Sequence, residues 1–425
     1  MILIVGPNAS SQYGGEAFLP LKYFQVLRRR GYPARLIAHT RNKDDLTAFL
    51  GDDIEHVDFV RDSIWHRSIW AVAKRMPSRL RVNTATPLLN WVNEYFQAKI
   101  IRERIASDDV TLIHQPTPVS PKSHSAIYGF GVPVVIGPMN GAMTFPKGYE
   151  NYESLASRWL IKTVSKIALG MNWLVPGKRK AAALLVANDR TRAALPCPDH
   201  PNIQTLVENG VDFEVWSHPQ KRAEERAGND TFRLVFMGRL VDWKAVDITL
   251  DALALARASG VDVVLEILGD GPDREMLEAY TAEKGLSDAV TFAGFLPQNE
   301  CADRLAASHA LILNSLWECG GAVVLEAMAM QLPVIASDWG GPADYLDDTC
   351  GILVPPSPRG DFANRLADAI SKLSRDPDLC KSMGQAGFRK VREQYDWEKK
   401  VDRILEIYSA VEAAPISDTK PVKAP

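Results

Sequence analysis

"ALILNSLWECGGAVVLEAMAM", residues 310–330, decides how this chain is read. It begins as a short apolar run of strand length and ends as a run of good helix formers. Between them lies a tight loop, so the stretch reads as strand, turn, helix. Two acids, Glu318 and Glu326, stand on either side of the glycine pair Gly320 and Gly321. In an open α/β sheet, ligands bind at the carboxyl ends of strands, where helices begin. Free backbone N–H groups there receive anions or hydroxyls, and glycine admits a ligand close to the backbone. Glu318 would sit at the ligand's edge. Glu326 would lie about one and a half turns into the helix, placed to accept hydrogen bonds from vicinal hydroxyls such as those of a ribose. Either acid alone reads as a surface or amide-bonded glutamate; both, with the glycines between them, read as a site.

The same strand–helix alternation runs through the whole chain. "ILIV" (2–5), "ARLIAH" (34–39), "VTLIHQ" (110–115), "VPVVIG" (132–137) and "ALLVAN" (183–188) read as buried strands of a first half. "FRLVFMG", "VVLEILG", "VTFAG", "HALILNS", "PVIAS" and "CGILV" repeat the theme in a second half. Short apolar strands separated by helical segments imply parallel, doubly wound sheets. Their number suits two Rossmann-like domains better than one sheet. At 425 residues the chain is also too long for a single core. The hinge is placed at "VENGVDFEVWSHP" (207–219). The expected division is 1–207 for a first Rossmann-like domain and 208–395 for a second. A last helix over 396–412 would pack back on the first domain, and 413–425 would form a disordered tail.

Composition excludes several classes. With 46% apolar and 24% charged residues the chain is ordinary globular material, and a net charge of −3 speaks against a nucleic-acid binder. Cys197, Cys301, Cys319, Cys350 and Cys380 show no CxxC spacing, which suits a reducing compartment rather than a disulfide framework or zinc site. The N-terminus lacks a positive n-region and reads as a first strand. No stretch is long and apolar enough to span a bilayer. A cytoplasmic location is expected.

Further candidate residues follow strand ends. In "VFMGRLVDWKAVD" (235–247), Arg239 and Lys244 follow Gly238 and form a cation pair able to clamp a diphosphate. "LEILGDGPDREML" (265–277) is a strand, a glycine turn with Gly269 and Asp270, and Pro272 at a helix start. In "GPNASSQYGGEAFLP" (6–20), Gly14 and Gly15 precede a helix and could cradle a phosphate. That loop lacks both a P-loop lysine and the GxGxxG spacing, which also argues against an NAD-dependent oxidoreductase. His114 ends a strand, where it could bond a sugar hydroxyl. Asn140 and Gly141 occupy a similar place after the next strand. "DDIEHVD" (52–58) reads as a solvated acidic loop rather than a metal-binding acid pair.

In this order and spacing these motifs resemble the retaining glycosyltransferases of family 4. The likeness rests on "NGVD" (209–212), "GRL" with the later lysine, "GDGP" (269–272), the E-x7-E pair Glu318/Glu326, "EAMA", "LPVIASDWGG" and the N-terminal "GG". It implies a GT-B fold, two Rossmann-like doubly wound α/β domains with an interdomain cleft that holds a nucleotide-diphosphate-sugar donor. It also implies that Glu318, helped by the amides of Cys319, Gly320 and Gly321, binds the donor sugar. Glu326 would take the ribose and Arg239 with Lys244 the diphosphate. Gly14 and Gly15 would face it from the other domain, with His114 near the sugar. Transfer with retention, no tightly bound cofactor and no metal go with the family. So does a glycan, lipid-linked or polysaccharide-precursor acceptor. Departures are Cys319 and Gly320 where the family often has other small or aromatic residues, Ala245 where it has glycine, and Asp344 following an early Pro342; they bear on the donor's identity. A non-catalytic nucleotide- or sugar-binding module is the alternative reading.

Two basic, tryptophan-bearing segments remain. "SRWLIKTVSKIALGMNWLVPGKRKAA" (157–182) has no acid, and Arg158, Lys162 and Lys166 share a helical face beside Trp159, Ile167, Met171 and Trp173. Residues 61–81 carry a second such stretch. Both suggest peripheral contact with an anionic membrane surface.

Overall fold

A computed structural model describes residues 1–11, 15–75, 78–152, 168–217 and 231–414. The chain divides into two compact units, Met1–Ala142 with Leu155–Glu208 and Trp397–Pro425, and Met143–Ser154 with Asn209–Asp396.

Unit 1 is built on strands β1 (Ile2–Val5), β2 (Ala34–His39), β3 (Val57–Val60), β4 (Leu112–Gln115), β5 (Val134–Met139), β6 (Ala183–Val186) and β7 (Ile203–Thr205). They form one sheet of order β3-β2-β1-β4-β5-β6-β7, and every pairing is parallel. Alternate residues serve opposite faces. Ile2, Ile4, Leu36, Leu112 and Val135 enter one apolar cluster, and Leu3, Val5, Ile37, Ile113 and Val134 the other. Two buried faces explain why these strands read as continuous apolar runs. β3 and β7 were not anticipated. β3 carries an acid in its middle, and β7 is a polar edge strand of three residues. Asp58, expected in a solvated loop, lies in β3 and is paired with Arg35 at 3.0 Å and with Arg104. Two guanidinium groups lower its pKa against the burial that opposes them.

The last helix, Trp397–Ala413, belongs to unit 1. Trp397, Val401, Ile404, Tyr408 and Val411 join the cluster beneath β1. Arg29 and Arg30 of the helix Phe18–Arg29 and its cap bind Glu398, and Arg30 binds Asp402 at 2.7 Å. Lys400 is buried under Trp397, its ammonium 4.4 Å from the ring centroid, and donates to the Glu208 carbonyl. Burial pushes its pKa down to about 7, with Glu208 opposing the shift.

Unit 2 contains β8 (Phe232–Met237), β9 (Val263–Leu268), β10 (Val290–Gly294), β11 (Ala310–Leu313), β12 (Val334–Ser337) and β13 (Gly351–Val354). Their order is β10-β9-β8-β11-β12-β13, again all parallel. The chain winds outward from β8 to β10, returns to β11 and winds the other way. The order therefore reverses between β8 and β11, the point at which doubly wound sheets bind ligands. One departure from the expected division is the segment from Met143, which lies between β5 and β6 in sequence and packs in unit 2.

Candidate functional site

The loops after β8 and β11 meet at this switch point. Lys244 closes a short 3-10 turn, Asp242–Lys244, and forms an ion pair with Glu318 of the loop after β11. Both side chains are largely withdrawn from solvent. Two residues far apart in sequence, each expected at a site, are thus brought into contact. Arg239 is exposed and has no side-chain partner among the described residues. Ala245 holds a left-handed conformation (φ 52°, ψ 41°) and is fully buried. Glycine would adopt it without the methyl clash, which costs about 1–2 kcal/mol. Asn314 secures it, since its side-chain N–H donates to the Ala245 carbonyl at 2.8 Å while its oxygen accepts from Thr249 at 2.6 Å. Sequence reading overlooked Asn314; a buried amide at a strand end was its signal.

Gly321 begins the helix Ala322–Ala329 at φ 76°, with no side-chain cap. First-turn amides there are open to a ligand. The preceding backbone is held from the loop after β12: Gly341 N–H donates to the Glu318 carbonyl at 2.8 Å. A Cβ on Gly341 would stand 2.2 Å from the Gly320 oxygen and 2.5 Å from that of Cys319. The glycine pair of "DWGGP" therefore exists so that one backbone can lie on another. Glu326 is half-buried, its carboxylate has no hydrogen-bond partner among the described residues, and it sits near Cys301. Burial alone pushes its carboxyl up to about 7. A raised carboxyl pKa adds stability while protonated and removes it as pH rises from the usual carboxylate range through about 7. Glu326→Gln is accordingly expected to raise the melting temperature at pH 8 and to leave it unchanged at pH 4, which thermal scans at the two pH values check.

The structure gives three of the expected site positions surroundings of their own. His114 is fully buried in unit 1: its Nε2 faces the Gly137 carbonyl at 2.6 Å, and its Nδ1 faces the Tyr408 hydroxyl at 2.6 Å. Burial lowers its pKa to about 4. Both ring nitrogens are committed to the core, so none remains for a sugar. Gly269 and Asp270 have a packing account. A Cβ on Gly269 would lie 1.9 Å from the Gly238 oxygen, and one on Gly271 would lie 2.1 Å from the Leu240 oxygen. Asp270 accepts from the Gly271 amide at 2.7 Å and faces Arg274 at 3.7 Å. Thus "GDGP" seats the loop after β9 against the loop carrying Arg239. Asn140, too, is structural: it is buried and donates to Glu208 at 2.8 Å. In the loop after β1, Gly15 has φ 63° with open space around it, and Gly14 lies outside the described residues.

One grouping, His39, Asp62 and His66, brings three ligand-type atoms within 4.8 Å of one another. His39 Nδ1 accepts the Arg41 N–H at 3.2 Å, so its Nε2 carries the proton. His66 Nδ1 accepts the Ser63 N–H at 3.1 Å, and its Nε2 faces the Asn93 oxygen at 3.0 Å. Neither ring presents a lone pair to an ion, so the grouping does not suit a metal.

Residues 217–390 match the family profile "Glycosyl transferases group 1". Those residues form a glycosyl transferases group 1 domain. Among curated relatives, the chain is 32% identical over 243 residues to the alpha-D-kanosaminyltransferase of Streptomyces kanamyceticus, covering 55% of this chain and 61% of that protein. It is 32% identical over 239 residues to the alpha-maltose-1-phosphate synthase of Mycolicibacterium smegmatis, covering 53% and 60%. The chain thus spans about six tenths of these relatives' length. Of solved structures, HepE of Anabaena in complex with UDP superposes with a TM-score of 0.67 at 18% identity, covering 96% of this chain and 99% of that one. Sucrose-phosphate synthase of Thermosynechococcus elongatus gives 0.64 at 19% identity, covering 97% and 99%. The fold of this chain is GT-B, with two Rossmann-like parallel-sheet units. Among the described residues no helix is long and apolar enough to cross a membrane.

Proposed function

We propose that this chain transfers a sugar, with retention, from a nucleotide-diphosphate sugar to a glycan, lipid-linked or polysaccharide-precursor acceptor. The observation that carries the reading is the contact of Lys244 with Glu318 at the switch point, beside an uncapped helix start. The pair keeps both side chains in place before the donor arrives. A diphosphate then takes over the ammonium, and sugar hydroxyls take over the carboxylate. Arg239 supplies a second, exposed cation. The amides following Cys319 meet the sugar or phosphate, and Glu326 meets the ribose. As the anomeric carbon becomes positive, negative charge grows on the leaving diphosphate. Fixed cations and helix-start amides aimed at that charge supply the main catalytic term. Relatives named as sugar transferases and a fold neighbour solved with UDP support the donor class. A panel of uridine, guanosine and adenosine diphosphate sugars, followed for donor hydrolysis and transfer, tests the reading. If the full-length chain bound and turned over none of them, the proposal would fall.

We further propose that unit 1 rests on an anionic lipid surface, at the inner face of a membrane. Trp65, Trp70, Trp91, Tyr95 and Trp173 are each at least half exposed, and all lie in unit 1. Arg61, Arg67, Lys74 and Arg75 are exposed around the first two tryptophans. Exposed tryptophans beside cations suit a headgroup boundary. Residues 153–167, with Arg158, Lys162 and Lys166, lie outside the described residues. Co-sedimentation with vesicles rich in anionic lipid is expected at low salt and is expected to weaken at high salt. Equal indifference to anionic and neutral vesicles would remove the idea.

A further inference from the structure

We infer that Phe145 is a positioning residue for Glu318, acting through Trp317 from a strap that crosses the loop ends of unit 2. This rests on the donor-site reading above.

The strap begins at Met143, in the long connection between β5 and β6. Its far end is firmly anchored. Tyr149 is fully buried against Phe362, with ring centroids 6.4 Å apart. The Arg359 guanidinium lies 5.3 Å from the Tyr149 ring centre and 5.7 Å from that of Tyr152. Ser357 donates to the Lys147 carbonyl at 2.6 Å. From this base the near end reaches the loops that frame Glu318. Phe145 stacks on Tyr152 at 5.8 Å and packs on Trp317 at 4.8 Å. The Trp339 indole N–H donates to the Thr144 carbonyl at 2.8 Å. The Met143 thioether lies against Gly340, close enough that a Cβ there would stand 2.6 Å from its methyl carbon.

Glu318 is thus gripped from two sides. Gly341 holds its carbonyl, and the strap holds the side chain immediately before it. Such a grip matters because a misplacement of about 1 Å at a binding group can cost on the order of 10²-fold in rate. Aromatic pairs stabilise beyond their burial, enough to favour one arrangement of a loop. Neither Phe145 nor Trp317 offers a group for proton transfer or for charge. Their chemistry fits the placement of a neighbour.

The test compares Phe145→Ala with Phe145→Tyr in the full chain. Hydrogen exchange of the amides at 316–321 is expected to quicken by about tenfold or more in Phe145→Ala and to return to the wild-type rate in Phe145→Tyr. Exchange at β4 of unit 1 is expected to stay unchanged, which excludes general unfolding. Binding is read in parallel. Affinity for the nucleotide sugar should fall by about tenfold in Phe145→Ala, while the nucleoside diphosphate alone binds within about twofold of wild type. Should Phe145→Ala not fold, Phe145→Leu carries the same comparison. Unchanged exchange at 316–321, or equal loss of both ligands, overturns the proposal. If exchange quickens but the wild type binds no nucleotide sugar, the donor reading fails and the positioning role stands. If wild type and variant bind donors alike, the positioning role fails and the donor reading stands.

Discussion

Arg239→Ala is expected to lower kcat/KM for the true donor by about 10²- to 10³-fold while leaving stability within about 0.5 kcal/mol of wild type. Both halves of this expectation come from one environment. The side chain is exposed at the end of β8 and has no partner among the described residues, so its loss leaves no buried group unsatisfied. Its proposed work begins only when a diphosphate arrives and charge grows on the leaving oxygen. Lys244→Ala makes the contrast. It removes the partner of Glu318 and strands a carboxylate that is largely shielded from water, so both activity and loop order should suffer. Steady-state kinetics with a donor from the panel, together with a urea titration of each variant, separates the two. An Arg239→Ala enzyme with unchanged kcat/KM would withdraw that cation from the proposed mechanism.

Gly269→Ala is expected to destabilise unit 2 by about 3 kcal/mol or more. Overpacking costs about 1–3 kcal/mol, and a side chain forced to positive φ adds about 1–2 kcal/mol. The backbone there has φ +148°, and the new methyl would stand 1.9 Å from the Gly238 carbonyl oxygen, a backbone atom that cannot swing aside. Gly260→Ala is the control. It shares a positive φ of 83° but has open space around it, so only the conformational penalty applies. Urea midpoints of the two variants measure the difference. Equal midpoints would mean that the loops after β8 and β9 do not lie backbone to backbone. Because Gly238 adjoins Arg239, the damaged variant should also lose activity, through displacement of a cation it does not touch.

Much of the fold was legible because parallel strands buried on both faces leave unmistakable apolar runs. The eleven expected strands all occur, within two residues of their ends. β3 and β7 escaped because Asp58 interrupts one and the other is short and polar. The alternation of strand and helix also placed Glu318, Gly320, Arg239 and Lys244 at strand ends, since the winding of such a sheet puts every βα loop on one side. What strand position left open was the surroundings of each side chain at those ends. His114 lies near the end of β4 and Glu318 in the loop beyond β11, and the His114 ring turns inward between Tyr23 and Tyr408. Strand position tells which end a residue occupies, not whether its side chain meets core or solvent in a loop that leaves the sheet.

By itself, then, the sequence determined the two doubly wound units, the loops that can bind a ligand and the chemical types within them, because periodicity and turn chemistry are local properties. Tertiary structure alone decided that Lys244 meets Glu318, that the glycines of "GDGP" and "DWGGP" serve backbone contact, and that a strap from the first half of the chain lies on Trp317. Each is a meeting of segments distant along the chain, fixed by packing and by the exclusion of one backbone by another, and no local pattern encodes it.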